Sequence, residues 1–273
     1  MHAMEAINRQ TWRNTWALRD YRRSSGYLNS GERRAFEAGA FDMRRGRGQG
    51  RVLDIGVGGG RTAGLLRDVA ATYLGIDYTA EMVQSARQNH PDLRFEQMDA
   101  RDLSALADRS FDLVVFSYNG IDSVDAAGRR AILSEVSRVL APGGSFVFST
   151  FHRDWQGFQE RIDYCRLEWT SNPVKLGFRT FRYVEGRIFG SLRMRRFSAL
   201  EERTGEHAIL LHGAHDFGVM VYATTPVQLQ AQLSEAGFET PALLFDIDGS
   251  IIGSVASSDN EYFHVVTRKP ILT

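Results

Sequence analysis

Three acidic residues, Asp54, Asp77 and Asp99, stand at the ends of three short runs, "VLDI", "GID" and "EQMD", and the first is followed at once by Gly56, Gly58, Gly59 and Gly60 and then Arg61-Thr62. A carboxylate accepts hydrogen bonds from hydroxyls and amines, and glycines after a strand allow positive φ and close approach of a ligand to the main chain. Such a turn often holds the diphosphate of a dinucleotide, but that fingerprint, G-x-G-x-x-G, requires glycine where Arg61 stands. Asp54 would also repel a diphosphate.

A cationic nucleoside-amino acid fits the same residues. S-adenosylmethionine carries a sulfonium, an ammonium and a carboxylate. Asp54 is expected at the amine end, and the backbone N–H groups around Gly56, Gly58 and Gly60 at the carboxylate. Asp77 is placed to accept both ribose hydroxyls, and Asp99 to accept from the adenine amino group. Tyr78 and Met82 are expected to sandwich the adenine.

The elements that must position these residues follow from the apolar pattern. Runs at 51–55, 72–77, 93–99, 111–117 and 145–151 read as buried strands. Between the last two, Ile132, Leu133, Val136, Val139 and Leu140 share one helical face in 125–140, and Pro142-Gly143-Gly144 ends it. Strand and helix in alternation give a Rossmann-like, doubly wound α/β sheet of about seven strands. Thr225-Pro226-Val227-Gln228 starts a late helix with a capping box, Gly237 stops it, and 241–247 and 261–270 supply a final strand pair. Residues 151–224 break the rhythm with β-formers alternating with Arg. They are read as an antiparallel β-rich lid inserted after strand 5. The expected organisation is therefore an N-terminal helical cover (1–48), a cofactor-binding core (49–150), the lid for the acceptor (151–224) and closing core elements (225–273).

The segments "VLDIGVGGGRT", "GIDYT", "EQMDA", "FDLVVFSYNG" and "LAPGGSFVFST" resemble the successive motifs of class I S-adenosylmethionine-dependent methyltransferases across residues 50–150. Residues 225–270 resemble the closing elements of that family. The resemblance implies cofactor contacts at Gly56, Gly58, Asp77 and Asp99, with Ala100 near the adenine and Ser117 near the methionine part. It also implies that the N-terminal cover brings Tyr21 and Tyr27 over the site. Where enzymes that methylate amino groups of nucleic acids or peptide glutamine carry Asn/Asp-Pro-Pro-aromatic, this chain has Ser117-Tyr118-Asn119-Gly120. That difference, and the lack of a cysteine nucleophile there, favour a small-molecule acceptor.

Methyl transfer from a sulfonium needs alignment above all, and a base only where the acceptor must lose a proton. His152, His215 and Asp216 are the candidate catalytic groups, with His212 in the same "HGAHDF" segment. Tyr118, Asn119, Tyr222 and Tyr21 are candidate acceptor contacts. The arginines of 179–196 read as solvated strand faces, or as an anion site if several converge. The two histidines of "HGAHDF" lack further ligands at suitable spacing, so no metal is expected.

A formal net charge of zero argues against nucleic acid, the single Cys165 excludes an internal disulfide, and no apolar run reaches membrane-spanning length. A cytoplasmic protein without a membrane partner is expected. The leading reading is a methyltransferase acting on oxygen or nitrogen of a small metabolite. An RNA-modifying methyltransferase, an NAD-dependent oxidoreductase and a non-catalytic S-adenosylmethionine-binding protein are the alternatives, and the sequence leaves the oligomeric state open.

Overall fold

The computed structural model describes residues 3–12, 28–40, 50–253 and 259–271. Its centre is a sheet in which β3 (Arg94–Gln97), β2 (Thr72–Asp77), β1 (Arg51–Ile55), β4 (Phe111–Phe116) and β5 (Leu140–His152) lie side by side, all parallel. Along 145–151, β5 also pairs with β10 (Tyr262–Arg268), which runs antiparallel and carries β9 (Leu243–Phe245) on its other side. Strand order reverses between β1 and β4, and a doubly wound sheet opens its ligand crevice at that point.

Apolar runs place these strands in the interior. Leu53, Val114, Phe146 and Val265 are completely buried. On one face pack α5 (Ala126–Val139) and α8 (Pro226–Glu235), which bury Ile132, Leu133 and Val136 from the first and Leu229 and Leu233 from the second. Asp125 caps α5 by accepting from Gly128 N–H. The Thr225 capping box forms as the sequence predicts, with Pro226 in the first turn. The opposite face is covered by α2 (Ser30–Gly39), α3 (Ala63–Arg67) and α4 (Ala80–Asn89), through side chains such as Phe36, Leu66 and Val83.

The inserted region corrects the expectation of a β-rich lid. Residues 173–197 form one 25-residue helix, α7 (Pro173–Phe197). Asn172 starts it by accepting from Val174 and Lys175 N–H, with proline in the first turn. Only the remainder is antiparallel: β6 (Glu202–Arg203), β7 (Ala208–His212) and β8 (Val219–Thr224) form a meander. Phe151 on β5 is flanked by Tyr262 on one side and Ala223 of β8 on the other, so this meander extends the main sheet beyond the end of β4. The short helix α6 (Gln156–Glu160) leads out of β5, and α1 (Ala3–Trp12) packs on β8 through Met4, which is buried with Met220 and Tyr222.

Candidate active site

A cavity of about 1230 Å³ opens at the carboxyl ends of β1, β2 and β4 and continues beneath α1 and α7. Its two ends differ in chemistry.

At the first end, the turn after β1 presents Gly56, Val57 and Gly58. Gly56 has φ +66°, and a Cβ there would sit 2.7 Å from the Phe116 ring, so the close packing of this turn on β4 demands glycine. Asp77 is buried at the wall. Its Oδ2 accepts from Gly58 N–H (3.0 Å) and its Oδ1 from Thr79 N–H (2.8 Å), which fixes the plane of the carboxylate. Burial pushes its pKa up, against the pull of these two N–H groups. Tyr78, Met82, Asp99, Ala100 and Ser117 line the same end. Both oxygens of Asp99 meet the Arg101 guanidinium, and Arg101 in turn contacts Glu5 of α1 (2.8 Å), so the N-terminal helix is tied to this rim.

Two expected cofactor residues lie elsewhere. Asp54 is fully buried beneath the turn, where its Oδ2 accepts from Thr62 (2.7 Å) and Tyr73 (2.9 Å). Its bonds to Thr62 and Tyr73 brace the turn from within, and burial raises its pKa to about 6. Gly60 is outside the lining as well. It has φ +89°, and a Cβ would strike the His90 ring at 2.6 Å, so this glycine serves the packing of the turn against the end of α4. A second acid that lines the cavity beside the turn, besides Asp77, is Glu32 of α2, buried and in a two-pronged ion pair with Arg61 (2.9 and 2.5 Å). Arg61 also donates to Ser117 (3.1 Å) and lies 5.2 Å over the Tyr118 ring. Sequence reasoning missed both partners, because Glu32 comes from a helix outside the motif.

The second end begins at the turn after β4. Tyr118 and Asn119 line it, and both adopt left-handed backbone (φ 55° and 59°), which costs of order 1–3 kcal/mol per residue unless the surroundings impose it. The surroundings do impose it. Ser149 accepts the Asn119 N–H at 2.8 Å, and one turn later Asp122 is buried against β5. Asp122 accepts from Thr150 (2.9 Å), Phe151 N–H (2.8 Å) and the buried Arg129. Burial raises the Asp122 pKa to about 6 while Arg129 draws it down.

Across this end stand Phe151, Tyr164, His212, Glu261 and Tyr262. Ala214 N–H donates to His212 Nδ1 (3.2 Å), so the ring proton sits on Nε2 and is given to Glu261 Oε1. The Tyr164 hydroxyl donates to the same oxygen (2.9 Å), and its ring stacks on His212 at 5.3 Å. Glu261 is thus an oriented acceptor. Neither it nor Tyr164 was legible as a site residue, since they meet only through contacts across the fold.

Of the expected catalytic groups, His215 and Asp216 line the cavity, in a left-handed turn beneath α7. His215 packs edge-on against Trp12, and Asp216 faces Arg182 at 3.6 Å. His152 does not reach the cavity. Side chains alternate along a strand, so with Phe151 facing in, His152 faces out; it is buried against Phe263, and its Nδ1 accepts from Asp154 N–H. Tyr222 is displaced for the same reason. Its neighbours Val219 and Val221 line the cavity, whereas Tyr222 stacks on His207 (4.9 Å) and under Arg129 (4.5 Å). Of the α7 arginines, Arg182 and Arg193 reach the wall. Tyr21 and Tyr27 lie outside the described residues, among which no group of three or more His, Cys, Asp or Glu is gathered to hold a metal ion.

Comparison with known proteins places this geometry. Residues 52–144 match the model of a family described as a methyltransferase domain. A demethylmenaquinone methyltransferase of Beutenbergia cavernae is 34% identical over 142 residues, which are 52% of this chain and 58% of that protein. A fatty-acid O-methyltransferase of Mycolicibacterium smegmatis is 36% identical over 104 residues, 36% of each chain. The chain therefore covers between a third and three fifths of these relatives' lengths. In structure, an S-adenosylmethionine-dependent methyltransferase from Methanosarcina mazei superposes with a TM-score of 0.53 at 19% identity, over 84% of this chain and 98% of that one, which shows a shared fold. Residues 52–144, which hold the glycine turn and the strand-end acids, thus match a methyltransferase domain, on a fold shared with S-adenosylmethionine-dependent methyltransferases.

Proposed function

We propose that the protein transfers a methyl group to an oxygen or nitrogen of a small metabolite held at the Glu261 end of the cavity. The observation that carries this reading is the buried Asp77 carboxylate, locked by the glycine turn itself through Gly58 N–H. With one backbone donor on each oxygen, it keeps lone pairs for the two hydroxyls of a ribose. The cofactor fits the residues present. Tyr78 and Met82 offer faces to an adenine, Asp99 and Ala100 its edge, and Gly56 and Gly58 allow the main chain close approach. The α-amino acid end is a zwitterion, and Glu32 with Arg61 beside Ser117 offers one charge for each of its groups. Bound there, S-adenosylmethionine supplies an electrophilic methyl on a sulfonium.

The chain's own part is alignment. The acceptor's O–H or N–H donates to Glu261, whose position His212 and Tyr164 fix from behind. Phe151 and Tyr262 wall the space, and Asn119 meets it from the β4 turn. Holding two reactants in register supplies about 7–11 kcal/mol of barrier reduction. Held by these two hydrogen bonds, Glu261 orients the acceptor and stands where a proton leaving the attacking atom can be accepted. Calorimetry of the Asp77→Ala variant with S-adenosylhomocysteine tests the cofactor assignment, and formation of that product over a panel of hydroxylated and amino acceptors tests the activity.

A further inference from the structure

Helix α7 is inside out. A surface helix ordinarily turns its apolar stripe to the core. α7 buries only Gly186 and Gly190, which lie against the 214–217 turn, while Val174, Phe181, Val184, Ile188 and Leu192 are 49–81% exposed. Val174, Phe181, Ile188 and Leu192 fall within an arc of about 40° at 3.6 residues per turn. The stripe therefore runs along most of the helix, and Trp169, 78% exposed, stands just before it.

Charge says what covers this face. α7 holds seven Lys or Arg against the single acid Glu185. Three of those arginines meet acids of neighbouring segments, Arg179 with Glu168, Arg187 with Asp163 and Arg182 with Asp216. A surplus of three positive charges remains in a chain whose formal net charge is zero. Arg195 and Arg196, both exposed, flank the stripe at its C-terminal end. A second copy of the helix would bring the same surplus against itself, whereas an anionic lipid surface complements it. Long basic side chains can lie along apolar surface and extend their charges to head groups.

We propose that α7 lies in the surface of an anionic membrane, with Val174, Phe181, Val184, Ile188 and Leu192 among the acyl chains. This contact is peripheral, so it agrees with the finding that no helix among the described residues is long and apolar enough to cross a membrane. It revises the sequence expectation of no membrane partner, which rested on the missing span. The inward side of α7 meets the cavity through Arg182, Glu185, Phe189 and Arg193, so the docked helix would stand between the bilayer and the acceptor end.

Co-flotation of the full chain with vesicles tests this. Phosphatidylcholine vesicles containing phosphatidylglycerol should carry the protein at least about tenfold better than phosphatidylcholine alone, and about 0.5 M NaCl should remove most of that advantage. The double variant Phe181→Glu/Ile188→Glu should lose flotation about tenfold or more with unchanged circular dichroism, since both side chains are exposed. Arg195→Glu/Arg196→Glu should lose the preference for the anionic lipid even if the first variant folds poorly. Equal flotation with both vesicle types, or none with either, overturns the proposal. So does a dimer in sedimentation velocity that F181E/I188E splits, which would assign the face to a second copy.

Discussion

Glu32, on a helix that precedes the sheet, holds Arg61, the residue directly after the last glycine of the β1 turn, with both carboxylate oxygens. This pair joins α2 to the glycine-turn end of the cavity and leaves opposite charges side by side on its wall. Glu32→Gln keeps the shape and removes one charge. Its affinity for S-adenosylhomocysteine should fall about tenfold or more, the worth of a charge-assisted hydrogen bond. Arg61→Lys should also weaken binding, because an ammonium cannot reproduce the two-pronged contact. Calorimetry reads both, and wild-type affinity in each would remove the pair from the cofactor site.

Asp77→Ala should cost about 1–3 kcal/mol of cofactor affinity in a protein that still folds. Unchanged affinity would shift the ribose assignment away from the end of β2.

Glu261→Gln should lower turnover by about 10²-fold while leaving affinity for S-adenosylhomocysteine nearly unchanged. Tyr164→Phe should give a smaller loss. His152→Ala should leave turnover within a few-fold of wild type, because His152 faces away from the cavity. Product formation with the best acceptor of the panel decides, and the opposite ranking would return catalysis to His152.

His264 provides a pH signature. It is buried with Nε2 donating to Asn29 (2.9 Å), and burial, with Arg61 nearby, lowers its pKa from 6.5 to about 3. Between those values the unfolded chain binds the extra proton, so stability should fall as pH drops from about 6.5, by up to about 1.4 kcal/mol per pH unit. Asp54, raised from 3.8 to about 6, acts with the opposite sign: its contribution is lost as pH rises through that window. That effect is common to wild type and His264→Gln and cancels in the comparison. Urea unfolding at pH 7.5 and pH 5 should show a smaller loss in His264→Gln; equal losses would refute the assignment.

Asp122 and Arg129 are both within 1% of complete burial. Asp122→Ala strands the guanidinium and should cost about 3–5 kcal/mol of unfolding free energy. Asp122→Leu/Arg129→Met should recover much of it, since an apolar pair avoids the desolvation of both charges. A double variant as unstable as the single one would show that the pair organises the β4 turn beyond its charge balance.

The sheet was legible because parallel strands are buried on both faces and read as apolar runs. Arg51–Ile55 and Thr72–Asp77 match to the residue, and the capping box at Thr225 is local chemistry that needs no tertiary context. α7 was not legible as a helix, because arginines interleaved with aromatic residues imitate an alternating strand when the apolar side faces outward. Asn172-Pro173 was the signal that marks its start. The errors at His152 and Tyr222 have another origin. Proximity along the chain to a strand end says nothing about which face a side chain takes, and a shift of one residue reverses it. Glu32, Tyr164 and Glu261 carry no motif and become a site only when the chain closes on itself.

The direction of β10 has a further consequence. Because it runs against β5, its beginning rather than its end meets the rim where Phe151 stands, and Glu261 directly precedes it. Were that strand turned around, the same sheet would keep its nucleoside cradle while the acid moved to the far rim. On the proposed reading, donor grip and acceptor choice are thus written in different stretches of polypeptide, so one can drift toward new chemistry while the other stays as it is.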